Sequence, residues 1–277
     1  MTLELSNSPL NFSIMGVVNT TPDSFSDGGK WLCLDAALNH IDRLVEDGAD
    51  VIDVGAESTR PGSRAIPFDE EWSRLEPILS AISKRQYPVR WSIDTSKFAI
   101  MDRAVEFGFT LMNDVRGARE LSDLQLSQLA RSGTSYIAMH MHLDPTTMQS
   151  QPLVPERAVH EVEEFFNSIT SRLTQAGFSQ DRIWLDPGIG FGKTDAGNFA
   201  LLSSIHRWAG PWNVLIGVSR KGFIGRAAGI KNPSDRDPAS KVVEAMAVSF
   251  GAKMIRTHDV RGLAAIRKEV FSEGKIH

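Results

Sequence analysis

Carboxylates, amides and cations stand wherever a short apolar run of this chain ends. In order the ends read Asn19, Asp53 with Glu57, Asp94, Asn113 with Asp114, His140 with His142, Asp186, Ser219-Arg220-Lys221, and Arg256-Thr257-His258-Asp259. A strand end needs a polar residue only occasionally, to cap the helix that follows. One at each of eight ends points to groups that converge on a site. They divide by charge. Asp94, Asn113 and Asp186 could hold a flat heterocycle bearing amino and ring N–H donors, or their oxygens could ligate a divalent cation such as Mg2+. Arg60, Arg220, Lys221, Arg256 and His258 form a cationic set, read as an anion site for phosphate, whose oxygens take paired hydrogen bonds from arginine.

Other motifs fail on spacing. Gly188-Ile-Gly-Phe-Gly192-Lys193-Thr194 imitates a phosphate-cradling loop, but its first glycine stands one residue too close to Gly192-Lys193. As a dinucleotide fingerprint it carries lysine where the third glycine belongs. Met139-His140-Met141-His142 would set both imidazoles on one strand face, yet the chain has only seven histidines and no HExxH spacing. A hydrogen-bonded structural role is expected for both.

Positioning such groups falls to the runs that precede them: Phe12 to Asn19, Asp50 to Gly55, Val89 to Asp94, Thr110 to Val115, Ser135 to Met141, Arg182 to Asp186, Asn213 to Ser219 and Lys253 to His258. They are continuous in apolar character, as strands buried on both faces of a parallel sheet are. Helical stripes lie between them, at Leu34 to Asp47, Trp72 to Ile82, Phe98 to Phe107, Leu124 to Ala130, Ala158 to Leu173 and Val242 to Phe250, most with a glycine at the end. Strand and helix alternating over 277 residues fit a (β/α)8 TIM barrel, which typically needs about 250. An open doubly wound sheet is the alternative. No linker or low-complexity tract divides the chain, so a single domain over 1–277 is expected.

A net charge of -4 argues against a nucleic-acid or anionic-membrane partner, which would need a net basic field. Cys33 is the only cysteine and has no second thiol to pair with, which suits a reducing, cytoplasmic compartment. Met1 to Leu10 lacks the basic start and apolar run of a signal peptide, and no stretch reaches the roughly 20 apolar residues that span a bilayer.

With these residues in order, the chain resembles bacterial dihydropteroate synthase. The matching stretches are residues 15–29 (MGVVNTTPDSFSDGG), 53–62 (DVGAESTRPG), 92–95 (SIDT), 113–115 (NDV), 186–193 (DPGIGFGK), 217–221 (GVSRK) and 256–259 (RTHD). Departures are Thr20 where the family usually has valine, Gly55-Ala56 for Gly-Gly, and His142-Leu143-Asp144-Pro145 where a glycine normally precedes the proline. The resemblance implies a barrel that joins 4-aminobenzoate to dihydropterin-CH2-pyrophosphate, releasing pyrophosphate. It implies that Asp94, Asn113, Asp186 and Lys221 hold the pterin and that Thr59, Arg60, Arg220, Arg256 and His258 surround the pyrophosphate. Asn19 would contact Mg2+, while Phe25, Pro61, Phe191 and Ser219 would line the aminobenzoate pocket. Asp23 and Asp27, with Arg60, would complete a closed site, and the chain would form a homodimer through helices away from the barrel mouth. A pterin-binding methyltransferase on the same barrel would share the pterin set but has no use for the pyrophosphate residues, and a non-catalytic pterin-binding paralogue would be signalled by loss of Asn19, Arg256 or Lys221, all of which are present.

Overall fold

Each apolar run becomes one strand of a parallel sheet that closes on itself. The computed structural model describes residues 12–20, 30–58, 63–144, 146–148 and 150–270, with residues 30–33 as backbone alone. The strands are β1 (Ser13–Asn19), β2 (Val51–Gly55), β3 (Arg90–Asp94), β4 (Leu111–Asp114), β5 (Ser135–Met139), β6 (Ile183–Asp186), β7 (Asn213–Gly217) and β8 (Met254–Thr257), paired in sequence order into a closed barrel. The pairing of β1 with β8, Ser13 against Met254 through Gly16 against Thr257, removes the open-sheet alternative.

Side chains alternate across a strand, so every second residue enters the barrel. One inward layer is apolar: Met15, Val51, Leu111, Ile137, Trp184, Leu215 and Met254 pack as a closed interior cluster. Two residues further along the same strands stand Val17, Asp53, Asn113, Met139, Asp186, Gly217 and Arg256. Thus the sequence fills the barrel floor with bulk and turns polar one layer above it, at the C-terminal ends where barrel sites form. The outward parity, Ile14, Ile52, Ile93, Met112, Tyr136, Leu185, Ile216 and Ile255 among it, packs into the larger core beneath the helices.

Among the described residues nine α-helices cover that core: α1 (Lys30–Glu46), α2 (Phe68–Ile82), α3 (Phe98–Glu106), α4 (Asp123–Arg131), α5 (Pro155–Gln175), α6 (Asp195–Ser203), α7 (Gly222–Ala228), α8 (Asp237–Ser249) and α9 (Val260–Val270). Local signals start several of them. Ser122 and Gln125 form a reciprocal capping box on α4, and Thr194 caps α6 through the Gly197 N–H. Helices α6, α7 and α9 were not visible in the sequence pattern. The first has Gly197 in its opening turn and an apolar sequence with little polar contrast, and α7 has two glycines in seven residues. No described helix is long and apolar enough to cross a membrane.

Candidate active site

The polar layer is wired across strands. Asp53, fully buried on β2, accepts from Ser92 Oγ of β3 at 2.6 Å, Asn113 Nδ2 of β4 at 2.9 Å and Arg256 Nε of β8 at 2.7 Å. The Arg256 guanidinium reaches on to Asp94, Nη2 to Oδ2 at 2.9 Å. It therefore pairs with two carboxylates, Asp53 and Asp94. No group of three His, Cys, Asp or Glu that could hold a metal ion occurs among the described residues.

On the other side of the mouth the wiring runs to backbone. Asp186, ending β6, accepts the Gly188 N–H on Oδ1 at 2.7 Å. Lys193 is buried and donates to His140 O at 3.0 Å and Gly188 O at 2.8 Å, so the stretch that resembles a phosphate loop is instead stapled to the end of β5 by its own lysine. A side chain at Gly188 would meet His140 O at 1.9 Å, and its φ of 64° is left-handed, so only glycine fits. Lys221 Nζ donates to Ile189 O and lies 4.7 Å from the centre of the Phe191 ring.

One cleft is lined by Asp94, Asn113, Asp186, Phe191, Ser219, Lys221, Arg256 and His258, together with Val17, Val115, Met139 and Gly217. Burial dominates its electrostatics. Asp94 is pushed up to about 7 by desolvation and then by the Asp53 charge, with Arg256 opposing. Desolvation also raises Asp186 against the pull of Lys221, and lowers Lys221 to about 8. Lys193 falls well below the usual lysine value for the same reason. Each carboxylate thus faces a cation, while a ligand that donates N–H groups and excludes water would favour the ionised carboxylates.

Eight of the residues expected from sequence meet here. Arg220 does not. In the turn that follows β7, with φ of 60°, it forms a two-pronged pair with Asp237 of α8, both contacts at 2.7 Å. Arg256 lies with the carboxylates rather than apart from them, so the two charge sets read from sequence interpenetrate. Asn19 ends β1, half-buried, and is not among the cleft-lining residues. Asp23, Phe25, Asp27, Thr59, Arg60 and Pro61 lie outside the described residues.

Of the two histidines, His142 bonds Glu161, Nδ1 to Oε2 at 3.1 Å. The buried Nδ1 of His140 has no partner among the described residues, its ring packs edge-on to Phe165, and burial drives it down to about 2, a neutral ring. Because β5 ends at Met139, the two rings do not share a strand face. Asp53 is the residue sequence reasoning left without a role. Its signal was parity, since it stands two residues beyond the floor residue Val51 and level with Val17 and Ser92.

Comparison with known proteins agrees with this geometry. The family model described as pterin binding enzyme matches residues 15–258. The chain is 38% identical over 251 residues to dihydropteroate synthase of Escherichia coli (strain K12), covering 90% of this chain and 86% of that protein. Its fold superposes with a TM-score of 0.85 on Xanthomonas albilineans dihydropteroate synthase with 4-aminobenzoic acid, at 36% identity and coverage of 93% and 91% of the two chains. The same enzyme in complex with 7,8-dihydropteroate gives a TM-score of 0.82 at 33% identity, covering 97% and 93%. With 244 of its residues inside the family model and the barrel-mouth groups in place, the chain belongs to the pterin-binding enzymes, in the dihydropteroate synthase family of transferases.

Proposed function

We propose that the chain condenses 4-aminobenzoate with 6-hydroxymethyl-7,8-dihydropterin pyrophosphate to give 7,8-dihydropteroate and pyrophosphate, a step of folate biosynthesis. The observation that carries the reading is the convergence of Asp94, Asn113, Asp186 and Lys221 on one cleft. Two carboxylates and an amide oxygen accept the N–H donors of a pterin, and Lys221 donates to its oxygen or ring nitrogen. As pyrophosphate leaves, the methylene carbon becomes cationic, and Asp94 and Asp186 are placed to stabilise it, which favours an SN1-like path. The neutral aryl amine of 4-aminobenzoate needs no strong base.

Ser219 and His258, in contact with each other on the cleft lining, are assigned by resemblance to 4-aminobenzoate and pyrophosphate respectively, and Phe191 to 4-aminobenzoate. Arg256, paired with Asp53 and Asp94, is assigned by resemblance to the pyrophosphate. For Arg220 to reach pyrophosphate it would have to leave Asp237. Thr59, Arg60, Phe25 and Pro61, with Asp23 and Asp27, are assigned by resemblance to complete the site. Asn19 offers an amide oxygen at a strand end, a hard ligand that fits a Mg2+ held mainly by phosphate oxygens and water. When bound, that ion would offset charge on the leaving pyrophosphate. Exposed Val242 and Met246 on α8 and Phe199 on α6 support a homodimer through this outer face, and the lone Cys33 suits the cytoplasm.

Pyrophosphate release measured with and without 4-aminobenzoate tests the reaction. Release only when both substrates are supplied, with dihydropteroate formed in equal amount, is expected. No release, or methyl transfer instead, would refute it and favour the methyltransferase reading.

A further inference from the structure

The glycine-rich loop after β6 carries a contact that the proposed reaction does not account for. Asn198, on α6, is 2% exposed and accepts the Gly190 N–H on Oδ1 at 2.7 Å. Helix propensity and burial would both favour leucine over asparagine at such a position. Other groups hold the rest of the loop. The Gly188 N–H goes to Asp186, Gly188 O accepts from Lys193 and from the Phe191 N–H, and Gly192 O accepts the Leu153 N–H at 2.9 Å.

The Gly190 N–H and the Ile189 carbonyl belong to one peptide unit. A trans peptide points its N–H and C=O in opposite directions, so an acceptor that fixes the first also aims the second. Here the N–H runs to Asn198, and the carbonyl accepts from Lys221 Nζ. Among the described residues that carbonyl is the hydrogen-bond acceptor of the Lys221 ammonium; no carboxylate fills the role. The lysine stem lies along the same peptide, because a side chain at Gly190 would meet Lys221 Cδ at 3.2 Å. A hydrogen bond on the N–H side also polarises the carbonyl and makes it the stronger acceptor.

We propose that Asn198 is a positioning residue for Lys221: by holding the Gly190 N–H it aims the Ile189 carbonyl at the ammonium and so keeps Lys221 on the cleft lining, where a pterin would meet it. Asp186, Lys193 and Leu153 hold the neighbouring peptides, so loss of Asn198 frees one peptide rather than the loop. The proposal rests on the reading of Lys221 as a pterin-holding residue.

The test has two readouts, a carbon-13 NMR titration of the lysine side chains in the free protein and calorimetry with a pterin lacking pyrophosphate. The Lys221 signal is assigned by its loss in Lys221→Met. In the wild type Lys221 should titrate at about 8. Asn198→Leu should bring it about one pH unit lower, because the charged form has lost its acceptor. Asn198→Asp keeps an acceptor oxygen and should titrate at or above the wild-type value. Pterin should bind about 5- to 10-fold more weakly to Asn198→Leu, the size of one lost hydrogen bond, and Asn198→Asp should restore the affinity. In a Lys221→Met background the Asn198→Leu change should alter affinity by no more than about twofold, since its effect passes through the missing ammonium. Should Asn198→Leu fold poorly, Asn198→Ala removes the same acceptor without adding bulk and should give the same results. An unchanged Lys221 titration in the Leu and Ala variants, or a loss of affinity that persists in full with Lys221→Met, would overturn the proposal. The titration needs no ligand, so a wild-type chain that binds no pterin would refute the proposed function and still leave this question decided.

Discussion

The two sides of the barrel mouth hold their carboxylates by different means. On the β2, β3, β4 and β8 side, Asp53 and Asp94 are fixed by side chains from neighbouring strands: Ser92, Asn113 and Arg256. On the β6 and β7 side, Asp186 is fixed by a backbone N–H, and the loop that carries it is fixed by lysines donating to carbonyls at His140, Gly188 and Ile189. The first network depends on strand register and on a two-residue parity. The second depends on loop conformation. One side should therefore fail through its charges and the other through its backbone.

The largest effect is expected where the cross-strand network has its centre. Asp53→Ala leaves Arg256 and Asn113 without their shared acceptor, and breaking a buried pair of this kind costs about 3–5 kcal/mol. Chemical denaturation should show that loss. A change below about 1 kcal/mol would mean that Arg256 finds other partners and that the network is not interdependent.

A smaller, different effect is expected on the loop side. Lys193→Met preserves most of the volume and removes a buried amine, but leaves the carbonyl of His140 unsatisfied at about 1–3 kcal/mol, while Gly188 O keeps the Phe191 N–H at 3.0 Å. Relief of the lysine's own desolvation offsets part of this. Stability should move little while pterin affinity falls, because Gly188 no longer holds Asp186. A variant that loses stability but binds pterin normally would break the comparison.

Protons separate the sides as well. Asp94 is raised from an ordinary 3.8 to about 7, so the free protein gains stability from its neutral form below pH 4 and loses that contribution as pH rises through about 7. Pterin binding has the opposite slope. It needs the carboxylate, and affinity should fall by up to tenfold, about 1.4 kcal/mol, per pH unit below about 7. Calorimetry across pH 5–9 should show this, and Asp94→Asn should flatten it. An unchanged slope in that variant would assign the proton to another group.

The smallest effect concerns the loop after β5. Leu143 adopts φ of 61°, the left-handed region, at the place where the resemblance puts a glycine near the proline. The turn is held by Arg116 on Asp144 and His142 on Glu161. Leu143→Gly relieves the strain but frees the unfolded chain, so a gain of at most about 1 kcal/mol is expected in thermal melting. A loss would mean that Leu143 packs usefully despite being 42% exposed.

The comparison also explains what could be read without coordinates. All eight strands and their order were legible because both faces of a barrel strand are buried and the apolar runs are continuous. Asp94, Asn113, Asp186 and Arg256 were legible because each ends such a run. Strand parity, applied strictly, would also have found Asp53, whereas the pairing of Arg220 with Asp237 depends on a turn beyond the end of β7. Nothing in the pattern could have paired Lys193 with His140 O, because the contact joins residues 53 positions apart through a loop whose path depends on three left-handed glycines, Gly188, Gly190 and Gly192. The same holds for the buried Lys241 and Glu244, which meet Thr257 and each other only once α8 is packed against β8.

The central claim is that the inward layer above the barrel floor is a pterin site. Calorimetry with a pterin lacking pyrophosphate, on the wild type, Asp186→Asn and Arg220→Ala, tests it most directly. Asp186→Asn replaces an acceptor of two N–H groups with an amide that must present one mismatched donor, and affinity should fall by about 1.5–3 kcal/mol, roughly 10- to 150-fold. Arg220→Ala, turned away to Asp237, should bind as the wild type does. Unchanged affinity in Asp186→Asn, or an equal loss in both variants, would contradict the account.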